Sequence, residues 1–140
     1  GRLASTSING IFVIDDTYNS NPRSIRAALA AAREVADGLG ARLVIAMGDM
    51  LELGEQSAVA HQDAIRDVMR SHPVAFIAVG SEMNSARTAI SHAANVTEIQ
   101  TSPDSIAAAK LIAKLVQPGD VLLVKGSRGI AIERVIERLG

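Results

Sequence analysis

Apolar positions along the chain follow two alternating rhythms. "GIFVIDD" (10–16), "RLVIAMGDM" (42–50), "VAFIAVG" (74–80) and "DVLLVKG" (120–126) are short continuous apolar runs that close around Gly or Asp. Such runs predict strands buried on both faces. "NVTEIQT" (95–101) alternates apolar with polar and predicts a fifth strand nearer a sheet edge, while residues 3–9 offer a further N-terminal strand. Between these runs the apolar residues recur at helical spacing. Residues 22–37 start on Asn21-Pro22, a capping residue followed by proline at the first helical position, and end in the glycines of "DGLG". Residues 55–71 are expected to place Val59, Ile65, Val68 and Met69 on one face. A shorter helix is expected over 82–93, another over 103–117 behind Ser102-Pro103-Asp104, and a last one over 130–139 with Ile132, Val135, Ile136 and Leu139.

Strand followed by helix, five times over, predicts one α/β domain across residues 1–140. Its expected architecture is a three-layer sandwich, with a mostly parallel sheet of five or six strands and helices on both faces. The 140 residues suffice for one core, since a chain of this length buries roughly two-thirds of its unfolded surface. Hydrophobic residues make up 48% and aromatics only 2%, so that core has to be aliphatic. Fourteen basic against fifteen acidic residues advertise no field for nucleic acid or for a membrane surface. No run is long enough to span a bilayer, and the opening residues do not read as a signal peptide. The absence of cysteine excludes disulfides and thiolate metal sites and fits a cytoplasmic protein. The opening "GRLASTSINGIFVIDD" has no initiator Met and lies close to a strand, as expected for a piece of a longer chain.

In a parallel sheet, ligands bind outside the carboxyl ends of the strands. The polar surprises of this sequence sit at those ends: Asp15-Asp16 after the first buried run, Gly48-Asp49 after the second, and Lys125-Gly126-Ser127-Arg128-Gly129 after the last. Neighbouring aspartates on an extended strand point to opposite sides, so one of the two is placed to meet a ligand. A carboxylate there can accept both hydroxyls of a ribose or bind magnesium through water; the structural alternative is that one acid caps a turn while the other pairs with Lys125. "VKGSRG" sets two cations and two glycines before a helix N-terminus, a natural anion site, and Arg128 can clamp a carboxylate. Asn21 reads as a helix cap. "GDMLELGEQS" (48–57) reads as a structural loop, with Asp49 and Glu52 as possible contacts. His61, His72 and His92 share no metal-ligand pattern, no Ser-His-Asp arrangement is legible, and His61 reads as a surface group or a local hydrogen-bond partner. The sequence contains neither G-x-x-x-x-G-K-[ST] nor G-x-G-x-x-G, so a nucleotide would need its phosphates cradled elsewhere.

Three stretches in this order, "DDTYNSNPRS", "GDMLELGEQS" and "VLLVKGSRG" with "ER" following, closely resemble the C-terminal domain of the Mur ligases. The resemblance spans nearly the whole chain. It is nearest to the type that adds D-alanyl-D-alanine to UDP-N-acetylmuramoyl-tripeptide during peptidoglycan precursor synthesis. It implies a Rossmann-like third domain that closes over a UDP-binding first domain and a central P-loop domain, both absent from this chain. The implied reaction is ATP-dependent amide ligation through an acyl phosphate, with magnesium held mainly by the central domain and no catalytic residue in this domain alone. Carried over by position, Arg2, Asp16, Tyr18 and Asn19 are implied at the nucleotide, and Lys125, Ser127 and Arg128 at the peptide or incoming dipeptide. The implied partners are the other two domains, ATP, UDP-N-acetylmuramoyl-tripeptide and D-alanyl-D-alanine, with no nucleic acid and no membrane insertion. Two other readings compete: a stand-alone nucleotide- or anion-binding module, and a phosphorylation-switched receiver domain. The receiver reading lacks an aspartate after "VAFIAV", where Gly80 and Ser81 stand, and has Gly126 after its lysine where proline is usual.

Overall fold

The computed structural model of the chain describes residues 4–16, 20–89, 97–126 and 132–139. The elements follow in the order β1 (Ala4–Ile8), β2 (Ile11–Asp16), α1 (Pro22–Leu39), β3 (Leu43–Gly48), a 3-10 turn (Gly54–Gln56), α2 (Ser57–Arg70), β4 (Ala75–Val79), α3 (Ser81–Ala89), β5 (Glu98–Ser102), α4 (Ser105–Leu115), β6 (Val121–Lys125) and α5 (Ile132–Leu139). They build a six-stranded sheet in the order β1-β2-β6-β3-β4-β5. Every neighbouring pair is parallel except β1 with β2, which form a hairpin through Asn9-Gly10. The sheet is thus a Rossmann-like, mostly parallel α/β sandwich, as the alternation of runs predicts.

Period-two alternation along the strands feeds two aliphatic cores. Ile14, Leu43, Ile45, Met47, Phe76, Ala78, Val121 and Leu123 face α1, α2 and α3. Val13, Val44, Ala46, Ile77, Val79, Leu122 and Val124 face α4 and α5. Strands β3, β4 and β6 are buried at every position, which explains why they read as unbroken apolar runs. In α1 the buried stripe is Ile25, Ala28, Leu29, Ala32 and Ala36, and its alanines bring the helix close to the sheet. The helix starts with a reciprocal capping box: Asn21 Oδ1 accepts the Ser24 N–H at 2.9 Å, and Ser24 Oγ accepts the Asn21 N–H at 3.0 Å.

Several boundaries differ from the sequence reading. Helix α1 runs through Gly38 and ends at Leu39, with Gly40 as its left-handed cap. The predicted 55–71 helix is a 3-10 turn followed by α2, and α4 starts at Ser105 because Asp104 caps it by accepting the Ala107 N–H. Val59 does not share the buried face of α2; it is 61% exposed. The stripe is His61, Ala64, Ile65 and Val68, an i, i+3, i+4, i+7 set that includes a histidine and so hides from an apolar count. In α5, Leu139 is buried; Ile132, Val135 and Ile136 lie outside the described side chains. Among the described residues no helix is long and apolar enough to cross a membrane.

The amino ends of β3 and β6 are tied by one carboxylate. Asp120, 3% exposed, receives Arg42 Nε on Oδ1 and Arg42 Nη2 on Oδ2, both at 2.8 Å, and the Gln117 N–H on Oδ2 at 2.8 Å. This bidentate partner raises the Arg42 pKa above its already high ordinary value. The backbone joins in: Phe12 N–H donates to the Asp120 carbonyl and Val121 N–H to the Arg42 carbonyl. Gly119, at φ +97°, makes the Pro118-Gly119 turn that delivers Asp120 to this position. Replacing Asp120 by Ala is therefore expected to lower stability by about 2–3 kcal/mol. Urea unfolding should show a lower midpoint at unchanged slope; an unchanged midpoint would mean that the clamp contributes nothing.

Candidate functional site at the carboxyl edge of the sheet

The predicted convergence at one sheet edge involves adjacent strands. In the parallel register Asp16 of β2 lies opposite Lys125 of β6, and Lys125 lies opposite Met47 of β3. Asp16 and Lys125 follow the parity of Ile14 and Leu123, so both side chains stand on the α1 side of the sheet, whereas Asp15 takes the other side. Lys125 Nζ donates to Asp16 Oδ2 at 2.9 Å, with the two side chains 0% and 6% exposed. Asp16 Oδ1 is buried and has no hydrogen-bond partner. Four residues on, where the chain turns into α1, the buried Ser20 Oγ also has none. Buried carboxylate and hydroxyl oxygens are seldom left unsatisfied, so these two atoms have unused capacity for a polar ligand.

The neighbouring acid does something else. Asp49, just past β3, accepts the Met83 N–H at 2.8 Å and the Glu82 N–H at 3.2 Å, capping α3 from across the sheet edge. Gly80 makes this possible. Its φ is +102°, and a Cβ there would stand 2.6 Å from the Asp49 carboxylate. Glu52 is exposed on the loop that follows, with a left-handed φ of +62°.

His61 anchors that loop. Its Nε2 accepts the Met50 N–H at 2.9 Å, which places the ring proton on Nδ1, where it donates to the Ser57 carbonyl at 2.7 Å. Ser57 Oγ donates to Glu82 at 2.6 Å, linking the starts of α2 and α3. The histidine is fully buried, so of its two sequence readings the hydrogen-bond partner is the one that holds. Its role in shaping "GDMLELGEQS" shows in the sequence only as a polar residue on the apolar stripe of α2.

Asp16 and Lys125 are thus brought together, Asp49 stands at the neighbouring strand end committed to α3, and Glu52 is on the rim. Arg2, Tyr18, Asn19, Ser127 and Arg128 lie outside the described residues. Among the described residues no group of three or more His, Asp or Glu is arranged to hold a metal.

A Rossmann-like sheet with a buried, partly unsatisfied ion pair at its carboxyl edge defines a domain of the kind that meets nucleotides and anions at strand ends. The comparisons narrow that class. Residues 1–128 match the family model described as Mur ligase, glutamate ligase domain, and the chain belongs to this family. A UDP-N-acetylmuramoyl-tripeptide–D-alanyl-D-alanine ligase from Mycobacterium leprae is 33% identical over 91% of the chain, and one from Bacillus subtilis is 34% identical over 94%. The solved structure of MurF from Thermotoga maritima in complex with ADP superposes with a TM-score of 0.74 at 26% identity over 99% of the chain. A MurF structure from Acinetobacter baumannii superposes with a TM-score of 0.77 at 31% identity over 99% of the chain. The chain spans 27% and 28% of those two curated relatives and 30% of each of these structures.

The coupling of Asp49 to Gly80 can be tested by substitution. Gly80→Ala is expected to destabilise the chain by about 2–4 kcal/mol, the sum of a lost cap and a strained backbone. Asp49→Ala alone should cost about 1 kcal/mol. Because the second change removes the clash, the double variant should be more stable than Gly80→Ala by itself. A double variant less stable than either single would refute the geometry.

Proposed function

We propose that this chain is the C-terminal domain of an ATP-dependent amide ligase that joins D-alanyl-D-alanine to UDP-N-acetylmuramoyl-tripeptide. On this proposal the domain contributes contacts to ATP and the incoming dipeptide when it closes on the UDP-binding and P-loop domains, and acts in the cytoplasm. The observation that carries it is the Asp16–Lys125 pair at the carboxyl edge, in a chain whose relatives are named for that reaction and one of whose neighbours holds ADP.

The chemistry of the edge suits such a role. A ribose presents two hydroxyl donors, and Asp16 Oδ1 is an unused acceptor, with Ser20 Oγ able to give or accept a bond beside it in the chain. Strand β1 supports closure on this edge: Ala4 pairs with Asp15, so β1 begins at the carboxyl edge, next to the pair. Upstream domains would therefore be tethered beside the site. On this proposal magnesium is held mainly by the central P-loop domain. What this domain would supply is orientation: a fixed acceptor for the nucleotide and an enclosure that keeps water from the reacting groups. Arg2, Tyr18 and Asn19 are proposed on the nucleotide side, and Ser127 and Arg128 on the dipeptide side, with Asp49 and Glu52 at the loop rim.

The test compares this chain with the same chain joined to its upstream domains. The isolated chain is expected to release no phosphate from ATP in the presence of the tripeptide and dipeptide substrates, and the longer protein to form the amide. In the longer protein Asp16→Ala should raise the KM for ATP roughly ten- to a hundredfold, the loss of a hydrogen bond to a charged acceptor. Ligation by the isolated chain, or an unchanged KM in the variant, would overturn the proposal.

A further inference from the structure

Lys125 is a charged side chain with no exposed surface, near the middle of the sheet. The family resemblance gives it a contact with the peptide or the incoming dipeptide. The geometry gives it a different task. Its ammonium is directed across the strand pair onto Asp16 Oδ2 at 2.9 Å, while its stem lies in the row that continues to Met47.

The carboxylate it holds is divided in use. Oδ2 takes Lys125, and Oδ1 is buried without a donor. A free aspartate turns readily about its last torsion, because the well of an sp³–sp² bond is broad. Tying one oxygen to a buried ammonium on a neighbouring strand removes that freedom and presents the other oxygen in a single direction. Ser20, four residues along the chain, is also buried with its hydroxyl unpartnered, a second polar atom available to a ligand. Stability alone gives a weak reason for such a pair, since apolar residues of similar volume often replace a buried ion pair without loss.

We infer that Lys125 is a positioning residue for the nucleotide: it orients Asp16 so that Oδ1 accepts a hydroxyl of the ribose, and it does not itself bind the dipeptide. The inference rests on the function proposed above, and it moves Lys125 from the dipeptide side of the site to the nucleotide side.

The experiment uses the full-length ligase and four proteins: wild type, Lys125→Met, Asp16→Asn and the double variant. In Lys125→Met the KM for ATP and the Kd for ADP by calorimetry should rise about tenfold or more, while the KM for D-alanyl-D-alanine stays within about twofold. Effects within one positioning unit do not add, so the double variant should bind ADP no more weakly than Asp16→Asn. Lys125→Arg, which keeps the charge, should recover part of the ADP affinity. If Lys125→Met fails to fold because it strands a buried carboxylate, the double variant removes both charges and still gives the comparison with Asp16→Asn. A rise confined to the KM for the dipeptide, or losses that multiply in the double variant, would overturn the inference. A wild-type protein that makes no amide would sink the proposed ligase function, whereas the ADP measurements would still decide the role of Lys125.

Discussion

A parallel sheet covered by helices on both faces admits charge only at its two ends, and the organisation of this domain follows from that constraint. Between the ends, β3, β4 and β6 carry buried side chains at every position, and a charge there would have neither water nor a partner. Both ends hold a carboxylate paired with a cation between β6 and its surroundings, and the two differ in how fully the carboxylate is used. At the amino end Asp120 uses both oxygens, on Arg42 and on the Gln117 amide. At the carboxyl end Asp16 uses one oxygen and leaves the other buried and empty. A saturated pair is complete as structure. An unsaturated one keeps an unused acceptor, and it lies at the end where such sheets meet their ligands.

The same distinction sorts the other polar groups on that edge. Asp49 looks as functional as Asp16 in the sequence, following an apolar run and a glycine. Its oxygens are nevertheless occupied by the first amides of α3, and the missing Cβ of Gly80 is what lets them approach. His61 looks idle, a lone histidine on a helix, yet both ring nitrogens are engaged and it shapes the loop after β3. Satisfaction of hydrogen-bonding capacity separates these groups better than residue type does.

Much of the fold was legible because buried parallel strands carry an unmistakable composition, and Pro, Gly and Asn mark the helix ends. The four apolar runs, the cap at Asn21 and the convergence of Asp16 with Lys125 all follow from local pattern plus the strand-end rule. The misreadings have physical causes. Val59 was assigned to the buried face of α2 because an apolar count skips a histidine that belongs there. The antiparallel direction of β1 rests on the two-residue Asn9-Gly10 turn, with both residues at positive φ. That turn brings the chain in at the carboxyl edge, a consequence that no run of apolar residues announces. That Asp49 is occupied depends on α3, more than thirty residues away in sequence, and no local pattern carries it.

The unfilled oxygen of Asp16 also bears on how a domain of this kind would couple binding to closure. Leaving a buried acceptor without a donor costs the domain about 1–3 kcal/mol. Part of that cost is returned when a hydroxyl fills the position, so the free energy of binding is larger for the ligand that completes the junction than for one that only touches its rim. If the ribose is that ligand, the nucleotide gains affinity only where the β2–α1 junction can reach it, which requires the domain to be closed. By linkage, the nucleotide then favours the closed arrangement by the same amount. On that condition a half-satisfied carboxylate held by a buried lysine would act as a small thermodynamic bias toward assembly of the site. That bias depends on Lys125, which occupies one oxygen of Asp16 and leaves the other as the acceptor.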